Sequence, residues 1–168
     1  MTAFDDLEPT EVEVQPILAA QMTSHCGLAP DEVKEAMGTA FGTVIAFLTQ
    51  HGLRFAGSPR AIYTSFGPQG VDFTAAIPVA TTPPGLSPSD PVTVASLPGA
   101  KALRFTHRGP YGELMTTYGR IAQYLEAKGL MKDEADWARY MPMWEEYRND
   151  PDETPEADLL THIFLPRT

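Results

Sequence analysis

The chain has one cysteine, Cys26, which excludes an intrachain disulfide and any metal site built from several thiolates. It is also short of positive charge: 12 Lys and Arg stand against 22 Asp and Glu, giving a net charge of −10 and a pI near 4.7. Nucleic acids are held mainly by clustered Lys and Arg, so the charge balance argues against direct binding to them. No apolar run approaches the roughly 20 residues of a membrane span. The opening MTAFDDLEPTEVEV lacks the basic and apolar regions of a secretory signal. A cytoplasmic location with no membrane partner is expected.

Several chemical signatures are missing as well. His51 and His162 have no His or carboxylate partners at metal-ligand spacing. No G-x-S-x-G elbow occurs. GPQG and GPYG lack the spacing of phosphate-cradling loops and read as turns. Cys26 has no evident activating neighbour. Neither a metal nor a cofactor is expected. What remains is an ordinary globular composition, 43% hydrophobic and 20% charged over 168 residues. It suits a single domain, residues 1–168, that buries roughly 70% of its unfolded surface.

The chain repeats itself. PILAAQMTSHCG (16–27) resembles PGAKALRFTHRG (98–109), aligning His25 with His107 and Gly27 with Gly109. AFGTVIAFLTQHGL (40–53) resembles TYGRIAQYLEAKGL (117–130), aligning Phe41 with Tyr118. FTAAIPV (73–79) resembles THIFLPR (161–167). Three blocks in one order indicate two repeats, about 11–80 and 92–167, joined by a Pro- and Ser-rich linker over 81–91.

Each repeat reads as βαββ. In the first, a strand alternating through Val12 and Val14 resumes after Pro16. Apolar residues at Val33, Met37, Phe41, Val44 and Leu48 then follow helical spacing. RAIYTSF (60–66), a GPQG turn and VDFTAAIPV (71–79) form a hairpin. The second repeat has its helix through Leu114, Tyr118, Ile121 and Leu125, then PMWEEYR and DLLTHIFLP. The expected fold is α+β: duplicated βαββ units about a pseudo-two-fold axis, an antiparallel sheet with two main helices, and a cleft at the repeat interface.

The informative feature is where the repeats differ. Aligning Tyr63 with Tyr147 sets Ala61 against Glu145, so AIY in one repeat is EEY in the other. Period two groups Met143, Glu145 and Tyr147 on one face. The other carries Trp144, Glu146 and Arg148 and reads as solvated, with Trp144 out of place there. Glu145 is then the inward carboxylate. Either a nearby Lys or Arg neutralises it at a strand edge, or it stands in an aromatic-lined cavity. In the second case it attracts a cation or, with its pKa raised by desolvation, serves as an acid or base.

HRGPYGELMTTYGRIAQYLEAKGL (107–130) and WEEYRNDPDETPEADLLTHIFLPR (144–167) resemble the second half of the GyrI-like small-molecule-binding domain. This is the effector-binding domain of MerR- and AraC-type multidrug regulators, also found free-standing. The matching features are G-P-Y before a helix, an E-x-Y strand, an N-D-P-x-x-T-P turn and a final strand ending in Pro. The resemblance implies a ligand cavity between the repeats, with Glu145 inside and Tyr147 and Tyr111 as neighbours. Some free-standing members resemble hydrolases that open strained electrophilic rings. The domain takes up the chain from near its start, so a transcription factor would need a partner to supply the DNA reader. Extra residues MKDEADWARYMPM (131–143) depart from the pattern. Trp137 and Tyr140, three apart, share a face of a short helix there and either lie over the cavity mouth or simply pack.

The candidate ligand-binding set is therefore Glu145, Tyr147, Tyr111, Trp137, Tyr63, Tyr118, Phe41, Tyr140 and Trp144. Phe41 and Tyr118 read first as core and only second as cleft residues. His25 and His107 read as structural. Three functions stay open: binding of an aromatic, cationic small molecule; hydrolysis, with Glu145 as base and Tyr111 or Tyr147 donating to the developing charge; and interaction with a protein partner.

Overall fold

In the computed structural model, which describes residues 7, 9–87 and 89–167, the first and last residues and Pro88 of the expected domain lie outside the described part. The strands are β1 (Thr10–Val14), β2 (Ile17–Cys26), β3 (Arg60–Gly67), β4 (Gly70–Pro78), β5 (Thr93–Leu97), β6 (Ala100–Arg108), β7 (Met143–Tyr147) and β8 (Leu160–Pro166). Two main helices, α1 (Pro30–Gln50) and α2 (Leu114–Ala127), separate them, with short 3-10 turns at Tyr111–Glu113, Glu134–Tyr140 and Glu156–Asp158. The strands form one sheet ordered β1-β6-β8-β7-β3-β4-β2-β5, antiparallel throughout.

Exchanging β1 to β4 with β5 to β8 reverses that order onto itself, which is the expected pseudo-two-fold. One detail departs from the sequence reading. The strand read as resuming across Pro16 is two strands with different partners: β2 pairs β4 and β5, whereas β1, an edge strand, crosses to β6 of the other repeat. β5 makes the reciprocal crossing to β2.

Local chemistry explains the helices. α1 starts with Pro30 in its first turn, where the missing N–H costs nothing, and Asp31 and Glu32 there favour its positive end. Both helices end alike. Gly52 (φ 66°) and Gly129 (φ 72°) take the left-handed conformation, and the amides of Leu53 and Leu130 donate back to the carbonyls of Leu48 and Leu125, each 2.8 Å. That six-to-one bond is the Schellman closure.

Each helix buries its apolar stripe on its own half of one sheet face. Val44, Phe47 and Leu48 pack with Phe73 and Ile77. Ile121, Tyr124 and Leu125 pack with Phe105, Ile163 and Leu165. On this face, among the described residues, the two helices pack over separate clusters, and the β3–β7 pair is the seam between them.

The opposite face overturns the expectation of a solvated Glu146. Trp144 stacks on Phe164, ring centroids 4.9 Å apart and planes 10° from parallel. The Arg60 guanidinium covers the Trp144 ring at 5.5 Å. Arg60 Nε lies 3.0 Å from Glu146 Oε1, and Arg148 Nη1 lies 3.3 Å from Glu146 Oε2. Glu146 is buried because two guanidinium groups neutralise it.

Candidate functional site

The seam carries the candidate site. Ala61 and Glu145 are direct cross-strand partners on the helix-bearing face. A β-bulge between Tyr63 and Ser65 reshapes β3 immediately beside them. From α2, the Tyr118 hydroxyl donates to Glu145 Oε2 at 2.6 Å. From β7 itself, two residues on and so on the same face, the Tyr147 hydroxyl donates to Oε1 at 2.7 Å. The Tyr63 hydroxyl interacts with both Glu145 and Tyr147. One carboxylate thus gathers three tyrosine hydroxyls from three elements.

A second layer of rings surrounds them. Tyr111 meets Tyr147 edge-on at 5.3 Å, and Phe41 from α1 meets its ring at 5.9 Å. Trp137 packs edge-on against Tyr118 at 6.1 Å. All six aromatics, Phe41, Tyr63, Tyr111, Tyr118, Trp137 and Tyr147, are half-buried, whereas Glu145 is only 3% exposed. The hollow foreseen around the carboxylate is therefore closed by tyrosine hydroxyls in this state, and the rings form its partly wetted roof.

Burial raises the Glu145 pKa above the usual carboxylate range, and the hydrogen bonds from Tyr118, Tyr147 and Tyr63, with a smaller contribution from His107, oppose that rise. Among the described residues no ion pair forms on Glu145. Arg60 and Arg148 are close in space or sequence, but the pleat puts them on the other face with Glu146. Burial and the charge of Glu145 push Tyr63, Tyr118 and Tyr147 well above 10, so all three remain neutral donors. Tyr111 is raised by burial and by Asp150 and Glu145.

Two members of the sequence-derived set lie elsewhere. Tyr140 is 8% exposed in the α2 core, its hydroxyl donating to the Leu130 carbonyl at 2.7 Å. It shares a 3-10 turn with Trp137, but that turn presents Trp137 to Tyr118 and sends Tyr140 inward. Trp144 lies on the opposite face, against Phe164, because adjacent strand residues alternate.

His107 has the structural surroundings expected of it. Its Nε2 donates to the Pro110 carbonyl at 3.0 Å, and Nδ1 lies 2.6 Å from the Thr117 hydroxyl, tying β6 to the start of α2. The equivalent His25 is exposed and contacts Asp72 at 2.6 Å. Sequence reasoning passed over Thr161, which lies between Tyr147 and His107 in the sheet register. A hydroxyl residue alternating with Ile163 and Leu165 was the available signal. Among the described residues no group of three or more His, Cys, Asp or Glu is arranged to hold a metal ion. No helix there is long and apolar enough to cross a membrane.

The family model of the GyrI-like small molecule binding domain matches residues 8–167. Among solved structures, the chain is similar to the C-terminal domain of EcmrR, with 16% identity, a TM-score of 0.67, and coverage of 95% of this chain and 96% of that one. In the EcmrR–DNA complex the match spans 57% of the EcmrR chain. The chain is also similar to SAV2435 bound to tetraphenylphosphonium, with 11% identity, a TM-score of 0.59, and coverage of 95% and 93%. A hydrolase encoded by lin2189 from Listeria innocua matches with 14% identity, a TM-score of 0.55, and coverage of 95% and 91%. No curated protein matches. At these identities the structural likeness establishes the fold.

Proposed function

The chain belongs to the GyrI-like small molecule binding domain family, and on that basis we propose that it binds a lipophilic aromatic cation against Glu145, to sequester or to sense it. The observation that carries this reading is the setting of the carboxylate: 3% exposed, bonded among the described residues to neutral hydroxyls, and roofed by six half-buried rings. Among the described residues an ionised Glu145 makes no ion pair. A cation supplies a counter-charge, and the faces of the surrounding rings attract the same charge. Binding requires the rings over Glu145 to part, and their partial exposure supports that motion. SAV2435, which has the same fold, is bound to tetraphenylphosphonium, which supports the choice of that cation as a probe.

Titration with tetraphenylphosphonium is expected to quench the fluorescence of Trp137, which packs against Tyr118. Glu145→Gln should weaken the affinity roughly 10- to 100-fold, the value of a charge-assisted contact. Equal affinity in both proteins would refute the role given to Glu145.

A second reading rests on the raised pKa of Glu145 beside neutral tyrosine donors, a pairing suited to acid–base chemistry. Here Glu145 deprotonates a water that attacks an electrophilic ring. Tyr111 or Tyr147 then donates to the oxygen that leaves with the electron pair. Incubation with an epoxide or a strained lactone decides it: no product above a Glu145→Gln control sinks hydrolysis and leaves binding.

A further inference from the structure

Thr161 is completely buried in β8, and among the described residues its hydroxyl has no hydrogen-bond partner. Valine has nearly the same shape and would spare the protein that unmet polar group, so a retained hydroxyl calls for an explanation. Its neighbours supply one. Thr161 is the cross-strand partner of Tyr147 on one side and of His107 on the other. Glu145 pairs with Ile163, two residues further along β8. Thr161 is therefore the diagonal neighbour of Glu145 on the same face, on the order of 7 Å away.

The nearby polar groups are already engaged. Both His107 ring nitrogens have partners, in Thr117 and the Pro110 carbonyl, and the Tyr147 hydroxyl is committed to Glu145. Tyr147 lies beside Thr161 in the register, with Tyr111 and Phe41 against its ring. Parting these rings to admit a cation to Glu145 opens the way to the Thr161 hydroxyl as well.

We propose that the Thr161 hydroxyl is a second polar contact for the ligand, so that the preferred cation carries a hydrogen-bonding group about one aromatic ring away from its charge. This rests on the reading of Glu145 as the counter-charge. A hydroxyl both donates and accepts, so a phenol, ether or carbonyl oxygen at that distance satisfies it.

The test compares tetraphenylphosphonium with (4-hydroxyphenyl)triphenylphosphonium by calorimetry on wild type, Thr161→Val and Thr161→Ser. The phenol is expected to bind wild type and Thr161→Ser roughly fivefold more tightly than the parent cation, the worth of one neutral hydrogen bond. In Thr161→Val that advantage disappears, the affinity for tetraphenylphosphonium stays the same, and the melting temperature is equal or higher. The subsite is refuted if the phenol has no advantage in wild type, if its advantage survives in Thr161→Val, or if that variant melts lower and loses both ligands together. Failure of both phosphonium ions to bind wild type overturns the Glu145 reading itself, and the subsite with it.

Discussion

Ala61 and Glu145 face each other across the β3–β7 pair, and they are also each other's counterparts in the two repeats. A two-fold axis normal to an antiparallel pair passes midway between directly opposed residues. The pseudo-axis of the molecule therefore emerges between a methyl group and a carboxylate. The same division recurs around it, since Phe41 and Tyr118 are also counterparts. At these two positions repeat one supplies an apolar ring and repeat two a hydroxyl donor. Symmetry at the axis would have produced two apposed carboxylates or none; the broken pair leaves one charge with a small residue opposite it.

Ala61→Leu puts a larger side chain directly across the strand pair from Glu145, at a fully buried position. The affinity for tetraphenylphosphonium should fall by about tenfold or more, equivalent to about 1.4 kcal/mol, at a folding cost of about 1–3 kcal/mol from overpacking. Fluorescence titration paired with urea unfolding checks both, and undiminished affinity would place the ligand away from the axis.

The raised pKa of Glu145 makes stability depend on pH in the direction opposite to that of an ion-paired carboxylate. Within the window between the ordinary carboxylate value and the higher folded one, the native state binds more protons than the unfolded chain, so stability falls as pH rises. Glu145→Gln removes this term. Wild type and variant should have similar stability below the ordinary carboxylate range, and the variant should gain relative to wild type as pH rises. A parallel pH series of melting temperatures for the two proteins would expose the error if the gap stayed constant. Cation affinity should follow the ionised fraction: it falls as pH is lowered through the same window, with proton release visible as a buffer-dependent heat.

Arg60→Leu leaves Glu146 buried with only the more exposed Arg148 beside it. The expected loss is about 3 kcal/mol by urea denaturation, whereas the double change Arg60→Leu with Glu146→Leu should recover most of it, because no lone buried charge remains. A double variant as unstable as the single one would mean that the ion pair itself holds the seam.

Tyr140→Phe separates the two aromatics of the Glu134–Tyr140 turn. Loss of the bond to the Leu130 carbonyl should cost about 1 kcal/mol of stability and leave ligand titration unchanged. Weakened binding at unchanged stability would return Tyr140 to the site.

The duplication, both main helices and the inward direction of Glu145 were determined by the residue string alone. Each depends on short-range periodicity or on the match between repeats: period two for EEY, period 3.6 for the helices. What only the tertiary structure decided is what meets across distance. Sequence does not say that β1 leaves its own repeat for β6, or that Arg60, 86 positions before it, neutralises Glu146. Nor does it say that Trp144 turns to Phe164 while Trp137 reaches Tyr118, or that a threonine hydroxyl between Tyr147 and His107 finds no partner among the described residues. Strand pairing is set by the sum of many remote contacts, which carry no periodic trace in the chain, and so the closure of three tyrosines over one carboxylate emerges only once the two halves have folded together.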